Sequence, residues 1–129
     1  MKRAVSRKAA RRQALYLLYQ WDLTGQELAS LYEGEPDEFA RGLAQAVSER
    51  ADALDTRISA SSPDWPADRL GTLERNILRI GVYELEEETV PREVAINEAV
   101  VLAKRYASED AARLVNGILA RVAREEEAA

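Results

Sequence analysis

Residues 90–119, VPREVAINEAVVLAKRYASEDAARLVNGIL, hold two helical patterns that meet at one short polar turn. Ile96, Ala99, Val100 and Ala103 recur at helical spacing in the first pattern, and Val115, Ile118, Leu119 and Val122 in the second. Each helix therefore has one apolar face. Pro91 suits a first helical turn. Ser108, followed by Glu109 and Asp110, offers a side-chain acceptor and negative charge to the free N–H groups of the second helix. The turn thus falls at residues 106–108. Asn97 and the Asn116-Gly117 pair interrupt the apolar stripes, and a glycine within a helix costs about 1 kcal/mol relative to alanine. Close packing of the helices is the simplest reason to keep Gly117.

Just upstream, residues 68–85, DRLGTLERNILRIGVYEL, are apolar on more than one helical face through Leu73, Ile77, Leu78, Ile80, Val82, Tyr83 and Leu85. That pattern predicts a central helix over 72–86, buried on several sides, with Glu74, Arg75, Arg79 and Glu84 on a narrow exposed strip. At the other end, a helix over 6–23 is apolar through Ala14, Leu17, Leu18 and Trp21, with Arg3, Arg7 and Arg11 along one stripe. Residues 26–32 suit two further turns. Pro36, Asp37 and Glu38 then start what reads as the longest helix, carried to about residue 59 by Phe39, Leu43, Val47, Leu54 and Ile58. The run SSPDWP at 61–66 breaks it. Within a single domain, this break divides an N-terminal helical group, about 1–62, from a C-terminal one, about 66–126, which opens with a short turn near 67–70. No segment alternates with period two long enough to predict a strand. The expected fold class is all-α, with Leu43, Leu54, Leu73, Ile77, Ile80, Val100, Ile118 and Leu119 in the core.

With 129 residues the chain is one domain's worth, and 47% hydrophobic with 32% charged residues is ordinary for a water-soluble fold. No 18-residue apolar run marks a membrane span and no signal peptide is visible, in keeping with a cytoplasmic protein. Without cysteine there are no disulfides or thiolate chemistry, and without histidine as well the usual zinc ligands are missing. No glycine-rich phosphate loop or serine-nucleophile motif occurs, so neither an enzyme nor a bound cofactor or metal is expected. The net charge of −5 hides an asymmetry: Lys2, Arg3, Arg7, Lys8, Arg11 and Arg12 crowd the first 12 residues with no acid among them. The remainder carries 12 basic against 23 acidic residues. A basic arm on an acidic body is a candidate nucleic-acid contact, or else a solvated helix start that aids solubility.

The strings LERNILRIGVYEL, VAINEAVVLAKRY, SEDAARLVNGIL and RKAARRQALYLLYQWD together resemble the NusB family of bacterial transcription antitermination factors. They span most of the chain apart from residues 24–65, which rest on helical periodicity alone. The resemblance implies seven helices in two small bundles. It also implies pairing with NusE, a small-subunit ribosomal protein, binding of the pair to boxA of nascent RNA, and support of ribosomal RNA operon transcription. Other antitermination factors and RNA polymerase would be engaged indirectly.

Single-stranded RNA asks for cations to meet phosphates, flat side chains for bases and polar groups for base edges. Arg7, Lys8 and Arg11 match the family's arginine-rich opening, with Arg3 a weaker addition. Tyr106, beside Lys104 and Arg105 at the helix–helix turn, is placed either to stack a base or to close the core edge. Asp110 falls on the family's RNA surface, although a first-turn acid also serves simply to oppose the helix dipole. Arg79 is either an ion-pair partner or a phosphate ligand. The family's NusE contact maps onto Tyr19 and Glu74, of which Tyr19 also suits a core aromatic. Two departures stand out: Arg12 replaces a common acid and enlarges the basic patch, and Leu114 replaces a common aromatic before ValAsnGly.

Rival readings are a protein-interaction module without intrinsic RNA binding, and an orphan relative of the NusB-like domains found in RNA cytosine methyltransferases. The sequence leaves open whether the free chain is a monomer or a homodimer.

Overall fold

The computed structural model describes residues 5–128, so Arg3 and Lys2 lie outside the described residues. Among those described there are six α-helices, two 3-10 turns and no strand. Helix α1 (Arg7–Thr24) starts at Ser6, whose hydroxyl accepts from the Ala9 amide at 3.1 Å. It ends at Gly25, which takes the left-handed φ of 73° that glycine adopts without strain. After a 3-10 turn at Leu28–Leu31, Asp37 caps α2 (Glu38–Glu49) and α3 (Ala51–Ala60) follows directly. A second 3-10 turn, Ala67–Arg69, leads into α4 (Thr72–Glu87), then α5 (Arg92–Tyr106) and α6 (Glu109–Ala128).

The single long helix expected up to residue 59 is therefore two, and the longest helix is α6 with 20 residues. The join is Arg50, whose φ of −105° and ψ of 11° leave the helical region while its carbonyl still accepts from Leu54 at 2.9 Å. This bend lets the apolar face of α2 lie on α1 and that of α3 on α4, which a straight rod does not allow.

Helix α4 touches all five other helices, as its many-sided hydrophobicity predicts. Ile77, Leu78, Ile80, Val82 and Leu85 are fully buried, in one continuous core with Leu18, Leu54, Ile58, Val115, Leu119 and Val122. Of the expected core positions, Leu43, Leu54, Ile77, Ile80, Ile118 and Leu119 are buried, while Leu73 and Val100 are half-buried against its edge. The exposed strip expected on α4 is corrected: Glu74 and Arg75 are half-buried, but Arg79 and Glu84 are inside. Each inner charge is matched by an opposite one on another helix, which is what makes its burial tolerable.

The glycine that allows close packing is Gly81, not Gly117. A Cβ on Gly81 would sit 2.6 Å from Leu119 Cδ1, whereas one on Gly117 would meet nothing within 4 Å. Gly117, Asn116 and Asn97 are all on the surface.

Candidate nucleic-acid interface

The outer side of α1 carries Arg7, Lys8, Arg12, Tyr16 and Tyr19. Ser6 fixes where the helix begins, so these residues emerge in register at spacings of three and four. Lys8 is the freest cation, its side chain 65% exposed, with Nζ 3.4 Å from the Glu98 carboxylate. The Arg7 guanidinium lies 3.9 Å from the centre of the Phe39 ring, a cation–π contact at the surface.

Arg11 does not join them. It is 3% exposed and belongs to the inward face with Ala14, Leu15 and Leu18. Its Nε donates to Glu84 Oε1 at 2.9 Å and its Nη2 to Oε2 at 2.8 Å. These bonds and the Glu84 charge raise the guanidinium pKa above its ordinary value against the cost of burial. The expected arginine stripe is thus split, because Arg11 ties α1 to α4 and presents no free face to a phosphate.

Arg79 is also inside. Its Nε and Nη2 donate to the Asp55 carboxylate at 2.7 and 2.6 Å, and its Nη1 donates to Asp22 and to Asn76 at 3.0 Å. Burial alone would lower its pKa, but Asp55 and then Asp22 outweigh that and leave it raised. Arg75 joins the same Asp22 oxygen through Nε at 3.0 Å and Nη2 at 2.9 Å. Of the two roles the sequence left open for Arg79, the geometry is that of the ion-pair partner.

The turn between α5 and α6 brings the remaining candidates to the surface. Ser108 caps α6 by accepting from the Ala111 amide at 3.0 Å, as its position predicts. Lys104 and Arg105 are exposed in the last turn of α5, and Tyr106 is 44% exposed with the Arg105 guanidinium 5.5 Å from its ring centre. Asp110 projects into solvent and pairs with Arg113 one turn on.

A groove of about 350 Å³ joins this turn to α1 and α4, lined by Arg12, Leu15, Tyr16, Tyr19, Leu73 and Tyr106. It has no carboxylate in its wall. Tyr19, partly exposed, thus opens toward solvent rather than into the core. Glu74 and Asp110 lie in a second groove, of about 430 Å³, floored by Leu70, Ala111 and Leu114 and walled by Trp65.

The structure thus brings Tyr19, Tyr106 and Arg12 together, sets Glu74 with Asp110, and withdraws Arg11 and Arg79. Tyr16 and Trp65 were missed by sequence reasoning. Tyr16 follows Arg12 at helical spacing, a signal that was available. Trp65 lies in the SSPDWP run, whose prolines drew attention to the break rather than to the ring between them.

Among the described residues no group of His, Cys, Asp and Glu is placed to hold a metal ion, and no helix is long and apolar enough to cross a membrane. Fold and surface together define an all-helical protein, built around one central helix, whose exposed cations and tyrosines gather where α1 meets the α5–α6 turn. The chain belongs to the NusB family, whose model matches residues 8–124. The transcription antitermination protein NusB of Rubrobacter xylanophilus is 39% identical, over 89% of this chain and 88% of its own. T. maritima NusB superposes with a TM-score of 0.84 at 32% identity, covering 95% of this chain and 94% of that one. A crystal structure of antitermination factors NusB and NusE in complex with dsRNA has a chain that superposes at 0.80 with 31% identity, covering 92% and 96%.

Proposed function

We propose that this chain is an RNA-binding antitermination factor that pairs with NusE and binds boxA of nascent RNA in the cytoplasm. The observation that carries this is the groove where Arg12 and three tyrosines converge beside Lys104 and Arg105. Family membership and the likeness to a NusB chain solved with NusE and dsRNA support it. Lys8, Arg12, Lys104 and Arg105 supply the phosphate cations, with Arg7 at the edge, and Tyr106 supplies a face on which a base stacks. Asp110 contributes by accepting hydrogen bonds from base edges, since it repels phosphate. Tyr19 and Glu74 contact NusE. Arg11 and Arg79 act from within, by holding α1 and α3 on α4. The work is binding, with no catalytic step.

The test is a titration of labelled boxA RNA, with and without NusE, across a range of salt. Wild-type protein with NusE is expected to bind, and binding is expected to weaken as salt rises. The paired change Lys8→Ala with Arg12→Ala is expected to flatten the salt dependence by about 0.7 log units per lost phosphate contact. Tyr106→Ala is expected to lose about 1 to 3 kcal/mol of stacking while leaving the salt slope almost unchanged. Affinity and slope untouched by all three changes would favour the interaction-module reading instead.

A further inference from the structure

We infer that Trp65 is the anchor of a protein-docking groove on this chain, shaped for a partner segment that presents an apolar side chain beside a lysine or arginine. The inference rests on the partner-binding reading of Glu74 and extends it to a residue outside the family strings. Trp65 is 52% exposed, the most exposed tryptophan of two, and is held at the wall of the groove rather than at a free tip. Its carbonyl accepts from the Ser62 hydroxyl at 2.9 Å, and its amide donates to the Ser62 carbonyl at 3.0 Å. Pro66, immediately after it, restricts the backbone further. The ring is therefore pre-positioned, and little conformational freedom is lost when something packs on it.

Beneath it, Leu70, Ala111 and Leu114 form an apolar floor, and Glu74 and Asp110 stand at the rim. The Glu74 carboxylate has no ion-pair partner among the described residues, and it folds back over Gly71, where a Cβ would collide with it. Against these two acids the groove offers one cation, Arg69, so its charge favours a cationic ligand and opposes a phosphate backbone. An exposed tryptophan over an apolar floor, with a carboxylate left unpaired beside it, is the pattern in which a few buried contacts carry most of an interface's affinity. The groove walled by Arg12 and the tyrosines has the opposite charge character, so the two surfaces take different ligands.

The experiment measures binding of NusE to the full chain by calorimetry, with helical content of each variant followed by circular dichroism. Trp65→Ala is expected to weaken NusE binding by about tenfold or more with unchanged helicity, and Trp65→Phe to restore most of it. The emission attributable to Trp65, obtained by difference from the Trp65→Phe protein, is expected to shift to shorter wavelength when NusE is added. Glu74→Gln is expected to reduce the salt dependence of NusE binding. If Trp65→Ala binds NusE like wild type while Glu74→Ala does not, the Trp65 anchor is overturned and the partner reading stands. If wild-type protein fails to bind NusE at all, the partner reading falls and the groove assignment with it. Loss of boxA affinity in Trp65→Ala without NusE present would show that RNA occupies the groove, and would overturn the protein-segment assignment.

Discussion

Removing one member of a buried ion pair strands the other, and the Arg11–Glu84 pair is nearly as buried as charges become, each residue 3% exposed. Breaking such a pair costs about 3 to 5 kcal/mol, because the remaining charge has neither water nor a partner. Arg11→Ala is therefore expected to lower the urea midpoint or Tm sharply, whereas Lys8→Ala, at an exposed pair, is expected to change stability little. An Arg11→Ala protein as stable as wild type but weaker for RNA would return Arg11 to the phosphate-binding set. Nothing in the first 12 residues distinguishes Arg11 from Arg7 or Lys8, since all three are basic positions on one helix. What separates them is a glutamate 73 residues away, brought alongside only when α1 packs on α4. The same holds for Arg79, whose acids come from α1 and α3. By contrast, Ser6, Ser108 and the exposed Tyr106 were legible, because caps and turns are decided by neighbours in sequence.

Helix α6 reaches back to the N-terminal half of the chain through Glu125. Arg57 Nη1 donates to it at 2.8 Å, Arg121 Nε at 2.9 Å and the Ser61 hydroxyl at 3.2 Å. The hydrogen bond from Arg57, then those from Arg121 and Ser61, hold its carboxyl below the ordinary glutamate range. A carboxylate whose pKa is depressed by folding adds stability above its unfolded value of about 4.3, and that increment is lost as pH falls through the lowered folded value. Glu125→Gln is therefore expected to be less stable than wild type at neutral pH and to converge with it in strong acid. Equal stability at neutral pH would show that the cluster is only a surface arrangement. Glu86, raised by partial burial and by Glu126, pulls the other way, so the comparison of the two proteins is more informative than either pH profile alone. At this scale the order of helices and the centrality of α4 followed from periodicity, while the bend at Arg50 did not. Apolar spacing through Val47, Leu54 and Ile58 reads as one continuous stripe, and only the competing demands of α1 and α4 for its two halves divide it.

Taken whole, the chain is divided by the 61–66 run in sequence but not in its interior. Residues of α1, α2 and α3 and residues of α4, α5 and α6 share one continuous core. Three polar ties also cross between the two groups: Arg11 to Glu84, Asp22 to Arg75 and Arg79, and Arg57 to Glu125. Neither group alone retains a closed apolar surface, because α4 contributes side chains to both and would be left bare on one side. We propose that the two helical groups are lobes of one cooperative unit rather than separable domains. Unfolding in urea is then expected to be two-state, with circular dichroism and tryptophan emission changing together. The slowest amide hydrogens of α1 and α3 should exchange with the same opening free energy as those of α4 and α6, because their protection is lost only when the shared core is lost. A fragment of residues 1–62 should be largely unfolded on its own. If that fragment folds, or if the α1–α3 amides open at markedly lower free energy than those of α6, the lobes are independent. The surface shared by α1, α4 and the α5–α6 turn would then be held together by lobe docking rather than by the core, and RNA affinity should follow the docking equilibrium instead of global stability.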